Sequence, residues 1–405
     1  MKKIILFLLS LWLSGAAISQ GGGSAPSMPE RVTLPNGWSL TPIGRSVPLG
    51  DLPLNIVQST SKKLLAVTCN GQSTQCIELI DSKNEKLLDS VEIPKSWLGL
   101  SFSADDKYLY ASGGNDNRIL IYAIRNNKLY LADSIRMGNP WPVKISPAGL
   151  AADDQRHLLY VVTKENDSLY ILDLKTKKIA GNYQLGGEGY TCKLSSNKKE
   201  LYISCWGCDK LLVFDTETRK FKTSIAVGDN PNDICITKNN HFLFVANAND
   251  NSVSVIDLQK YKLIETLDAA LYPGSPSGST TNALALSEDE RTLYVANADN
   301  NCLTVFDVSK PGNSFSRGFI PVGWYPTAVA VNGKKVFVAN GKGFSSKANP
   351  LGPDPLRPRQ HVHYQKGDNR KREEVQYIGG LFKGTMSIFE EPDDKSLGQY
   401  SSWVY

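Results

Sequence analysis

Three groups of residues in this 405-residue sequence have types and spacings that could do chemistry. The first is a set of thiols. Cys205-Trp206-Gly207-Cys208 has the spacing of a redox centre or a haem attachment, but Asp209 stands where haem attachment needs His. No helix pattern follows to lower a thiol pKa either. The seven cysteines are Cys69, Cys76, Cys192, Cys205, Cys208, Cys235 and Cys302. An odd count leaves at least one thiol unpaired or bonded to another chain, so they read as structural or partly paired. Cys69, Cys76, Cys192, Cys205 and Cys208 are the candidates for disulfides or free thiols. The second group is aromatic: Trp97, Trp141, Tyr190, Trp324 and Tyr325, each just ahead of a short β-rich run. The third is basic. Residues 342–372 carry eight Lys/Arg against Asp354 and Asp368, with four prolines among them. Arg357 and Arg359 suit an anion such as phosphate, which a planar guanidinium can grip with two hydrogen bonds. His361 and His363 offer a metal pair that lacks a third ligand. No cofactor and no metal is therefore assigned.

The elements that must position these groups are written as a repeat. FLFVANANDNSVSVIDL, from Phe242, returns fifty residues later as TLYVANADNNCLTVFDV. Each is an antiparallel hairpin: an apolar strand, an Asn/Asp turn, then an alternating strand. Taking Leu65, Tyr110, Tyr160, Tyr202, Phe244, Tyr294 and Phe337 as equivalent, the intervals are 45, 50, 42, 42, 50 and 43 residues. Each unit holds four short strands joined by turn residues, with no helix between them. Seven such sheets predict an all-β, seven-bladed β-propeller of four-stranded antiparallel blades, which leaves only short, protected edges. The seventh unit lacks a good fourth strand, whereas Trp38 to Leu49 reads as a strand with no partner. Pairing the two would close the ring from both termini. The propeller is expected over 38–392, with the basic, Pro-rich insertion at 342–372 and a C-terminal tail at 393–405.

The N-terminus has two lysines, an apolar run from Ile4 to Leu13, then small residues to Ser19, the three parts of a secretory signal peptide. Residues 1–19 are read as that signal and 20–37 as a mobile spacer. The apolar run is too short to span a bilayer and no Cys follows it, so the expectation is a periplasmic or secreted protein with no membrane span after cleavage. Removing Lys2 and Lys3 lowers the formal charge from +5 to +3. Such a balance points to no nucleic-acid partner.

The strands Phe244-Val245-Ala246-Asn247, Tyr294-Val295-Ala296-Asn297 and Phe337-Val338-Ala339-Asn340 resemble the YVTN family of β-propeller repeats, named for a Tyr-Val-Thr-Asn strand. From Leu271 onward, LYPGSPSGSTTNALALSEDERTLYVANADNN, GWYPTAV, VANGKG, NPLGPDPLRP and VQYIGGLFKGTMSI are similar to bacterial proteins in which such a propeller precedes a phosphoesterase domain of the alkaline phosphatase superfamily. The resemblance implies that the metal-binding Asp/His clusters and the Thr or Ser nucleophile belong to that following half. They have no counterpart in this sequence, and none is carried over.

Strand parity places the turns between second and third strands at the same end as the connections between units. That face should gather the five aromatics, four of them around the mouth of the central channel, together with the insertions at Pro273 to Thr281 and 342–372. His157 and His241 fall in polar turns on the opposite face. The aromatics either form a contact site for a partner or ligand or pack between sheets. Asn247, Asn297 and Asn340 are read as satisfying local turn backbone groups. The function expected is a non-catalytic module that docks a protein partner or a phosphoesterase domain on the loop-rich face, with an anionic small ligand as a further partner. The alternative is a lactonase-like enzyme with its site in the channel, which would need a converging acid/base set or a metal cluster.

Overall fold

The computed structural model describes residues 30–344, 348–357, 359–362 and 373–405. The expected signal peptide and His363 lie outside these. Seven four-stranded antiparallel sheets stand in a ring. Blades one to six run in chain order over 53–92, 100–136, 147–184, 189–226, 231–268 and 281–321. Blade seven takes Trp324–Asn332, Lys335–Gly343 and Thr385–Glu390 from the C-terminal part of the chain, and Arg45–Pro48 from the N-terminal part. Val47 lies opposite Met386 in that pairing, so the ring is closed from both termini.

The burial patterns explain why these strands form. Second and third strands such as Phe242–Asn247 and Ser252–Asp257 are buried on both faces, because each blade is sandwiched between two others. Hence their nearly unbroken apolar runs. Outer strands such as Lys262–Asp268 have one face in water. The core is divided among seven clusters, one at each blade interface, including that between blades seven and one, where Leu65 and Ile56 meet Phe337 and Met386. All seven residues aligned as the repeat's marker are buried within these interfaces.

Trp38 to Leu49 is not one strand. Pro42 lacks the N–H for a ladder, and Gly44 takes φ +74° with the Ile388 carbonyl so close that a Cβ would collide with it. The segment therefore divides. Ser39–Leu40 pairs with Val32–Thr33, inside the stretch read as a mobile spacer, and Arg45–Pro48 joins blade seven. The C-terminal segment is also ordered: Asp394–Val404 is an α-helix, capped by Asp393, whose carboxylate accepts from Ser396 N at 2.8 Å. It buries Leu397 against blade six.

Candidate functional site

The two ends of the ring are built differently. On one, the turns use the same two devices again and again. A Ser or Thr hydroxyl closes the turn between first and second strands, as when Ser103 Oγ accepts from Tyr108 N (2.9 Å) and Thr237 Oγ1 from Phe242 N (3.0 Å). An Asp closes the turn between third and fourth, as when Asp215 accepts from the backbone N–H of Glu217 and Thr218. These turns are also tied to one another. Asp106 accepts from Thr60 and Ser61 N, Asn240 from Ser196 N, and Glu290 from Lys238 N. Many of their polar groups thus bond within the ring, and His157 and His241 sit here.

The other end carries the long connections, positioned by three asparagines that the sequence reading missed. Asn117 donates to the carbonyls of Asn139 and Val143 (2.6 and 2.7 Å) and accepts from Ile145 and Ser146 N, clamping the loop that carries Trp141. Asn251 donates to Pro276 O and accepts from Gly278 and Ser279 N, holding the insertion that follows Tyr272. Asn301 accepts from Tyr325 N at 3.0 Å. All three occupy the left-handed region, at the last position of the turn between second and third strands. Their shared position in NDN- and DNN-type turns was the available signal.

The five aromatics do not form one cluster. Tyr190 faces the channel, where burial raises its hydroxyl pKa. Trp324 and Tyr325 share Lys342, whose Nζ stands 5.4 and 4.2 Å from their ring centres, and Trp324 meets Phe382 edge-on at 5.5 Å. Trp97 lies under Lys164 (5.2 Å), while Trp141 is 52% exposed beside Lys144 (5.6 Å). Exposed apolar side chains on this face include Trp141, Val143, Tyr272, Leu351, Leu356 and Ile378.

In the insertion, Arg357 lies between Asp354 (3.6 Å) and Glu373 (3.5 Å) and lines a cavity of about 740 Å³ with both. Its charge is shared with carboxylates of the same loop. Arg359 is exposed, at φ +71°. His361 is buried in a short parallel pairing opposite Glu374.

The channel, about 310 Å³, is lined by the first strands of all seven blades. Polar groups of its lining stitch strands together: Asn55 donates to Leu98 O (2.7 Å), and Asn282 Oδ1 accepts from Asn232 (3.0 Å). Asp233, the one carboxylate in that lining, accepts from Ile234 and Leu284 N and stands 3.9 Å from Lys193.

Among the cysteines, Cys205 and Cys208 form a disulfide across the tight turn of blade four, with Cα atoms 5.4 Å apart. Cys69, Cys76, Cys192, Cys235 and Cys302 are free thiols. The repeat asparagines do more than serve their turns. Asn247 Nδ2 donates to Ser252 and Ser254 Oγ (2.9 and 3.0 Å), and Asn340 to Thr385 Oγ1 and Ser387 Oγ (3.2 and 3.0 Å). They join second strand to third from inside the blade. No helix among the described residues is long and apolar enough to cross a membrane.

Comparison with known proteins agrees with this architecture. Over 215 residues the chain is 26% identical to Antigen Lp49 of Leptospira interrogans serogroup Icterohaemorrhagiae serovar copenhageni (strain Fiocruz L1-130), covering 47% of this chain and 44% of that protein. The chain thus spans less than half the length of that relative. Among solved structures, one of Kuenenia stuttgartiensis hydrazine synthase superposes with a TM-score of 0.61 at 15% identity, covering 72% of this chain and 93% of its own. U3-55K gives a TM-score of 0.62 at 11% identity, covering 84% and 97%. Identities this low speak to fold alone. Residues 27–330 match the family model described as YNCE-like beta-propeller, well over half of the sequence. The chain belongs to the YNCE-like β-propeller family.

Proposed function

We propose that this propeller is an extracytoplasmic, non-catalytic docking module whose partner sits on the loop-rich face. The observation that carries the reading is the asymmetry of the two ends. Turns on one end are short and bond to each other, while the other end holds asparagine-clamped loops that present Trp141 and Tyr272 to solvent, beside the blade-seven insertion with its exposed Leu356. The N-terminal signal pattern supports an extracytoplasmic setting, as does the Cys205–Cys208 disulfide. The partner proposed is a protein domain, and a phosphoesterase domain of the kind that follows similar propellers is the first to try. The Arg357 and Arg359 region is proposed as part of that contact rather than as a free phosphate site, since Arg357 already faces Asp354 and Glu373.

Purified chain assayed against phosphomonoesters, phosphodiesters and lactones should hydrolyse none of them above a buffer blank. Steady turnover that is lost on Asp233→Asn or Tyr190→Phe would contradict the proposal and place a reaction in the channel.

A further inference from the structure

Blade one departs from a pattern that blades five, six and seven share. In blades five, six and seven, an Asn closes the second strand and faces two third-strand positions: Ser252 and Ser254, Cys302 and Thr304, Thr385 and Ser387. The amide bonds to the hydroxyls there, as when Asn297 Nδ2 donates to Thr304 Oγ1 at 2.8 Å. Blade one has the same register, with Cys69 opposite Cys76 and Val67 opposite Glu78. The three equivalent positions are therefore Cys69, Cys76 and Glu78. A hydrogen-bonding trio has been replaced, at all three places, by two thiols and a carboxylate.

These three are buried, at 0%, 8% and 6% exposure. They are the one group of three His, Cys, Asp or Glu among the described residues able to share an ion, their donor atoms all within 4.8 Å of one another. The Glu78 carboxylate has little to offset its burial: Gly50 N donates at 3.1 Å, and the Cys69 thiol lies 3.7 Å away. Such a group is costly to bury with so few partners, and a cation bound beside it would remove that cost. The glycine seat is part of the repeat too. A Cβ on Gly228 or Gly323 would meet Asn247 or Asn340, and one on Gly50 would meet both sulfurs, at 2.9 and 3.0 Å. No side chain stands over the donors there.

We infer that Cys69, Cys76 and Glu78 form a binding site for a thiophilic divalent cation, of which zinc is the type. Two thiolates select zinc over magnesium or calcium, and zinc accepts a carboxylate oxygen as a third ligand. Three protein donors leave a coordination position for water or another small ligand. This site is independent of the docking face, and its failure would leave that proposal standing.

The test uses the full chain, stripped with chelator under reductant, loaded with zinc and freed of excess by gel filtration. Elemental analysis should find one zinc per chain, and cobalt in its place should give a thiolate-to-metal charge-transfer band. Cys69→Asn/Cys76→Ser/Glu78→Ser rebuilds the trio of blade five, so it should fold, melt cooperatively and hold no zinc. Metal on reduced Cys205 and Cys208 would persist in that variant and so be told apart. Equal zinc content in the native and triple-variant chains overturns the inference. Should the variant not fold, loss of the cobalt band in Cys76→Ser supports the site and its retention overturns it.

Discussion

At the scale of the residue, the repeat asparagines show how one side chain can hold a blade together. Asn297 is fully buried and donates both to Thr304 Oγ1 and, at 2.6 Å, to the Ala269 carbonyl on the connection between blades five and six. It thus ties a hairpin to the loop beside it. Asn297→Ala would leave the Thr304 hydroxyl without that donor and the Ala269 carbonyl with the Thr304 hydroxyl alone (2.9 Å), at a cost of about 1–3 kcal/mol. Urea unfolding should show the midpoint falling with the slope unchanged, whereas an unchanged midpoint would assign the amide no structural role. The recurrence of Asn was legible in the sequence, but its partners were not. Residues five and seven positions downstream in blades five and six, and 45 and 47 downstream in blade seven, meet the amide only because the hairpin register brings them there, so the sequence pointed to the turn instead. Cys69, Cys76 and Glu78 were hidden for the same reason. Read one at a time they were thiols and an acid in apolar runs, and only the register puts them in the place of the Asn trio.

At the scale of the element, the strands were legible and the C-terminal helix was not. Middle strands are buried on both faces and must be apolar throughout, which leaves a strong signal. The helix Asp394–Val404 contains Gly398 and fully buries Leu397 alone, and it is stable because of where it docks. Its seat is Gly318 on the outer strand of blade six, at φ +138°, where a Cβ would come within 2.3 Å of Ser401 Oγ. That hydroxyl in turn accepts from Phe319 N at 2.8 Å, and Tyr405 Oη donates to the Leu271 carbonyl at 2.6 Å. Gly318→Ala should release the helix while the blades remain, because both the close approach and the backbone angle reject a side chain. Limited trypsin digestion should then cut at Lys395 faster than in the native chain, with the β-sheet circular dichroism preserved. Unaltered protection of Lys395 would show that the helix is held by other interactions.

At the scale of the whole molecule, a ring of like blades gives two faces, and the two are built differently. Which loops share a face follows from strand parity and could be read from the sequence. How far they are spent could not, since it depends on hydrogen bonds between residues some fifty positions apart, such as Asp106 with Ser61 or Glu290 with Lys238. The loop-rich face keeps aromatic and aliphatic surface exposed to solvent, which is the surface the proposed docking would use. The most direct test is a binding isotherm of the purified chain with a phosphoesterase domain of the alkaline phosphatase superfamily, taken from a similar propeller protein and added in trans. Docking on the loop-rich face predicts saturable binding, weakened at least tenfold by Trp141→Asp with Tyr272→Asp and unchanged by Lys238→Glu on the opposite face. Each tenfold step corresponds to about 1.4 kcal/mol of binding free energy. Binding that the loop-face substitutions leave intact and Lys238→Glu abolishes would contradict it.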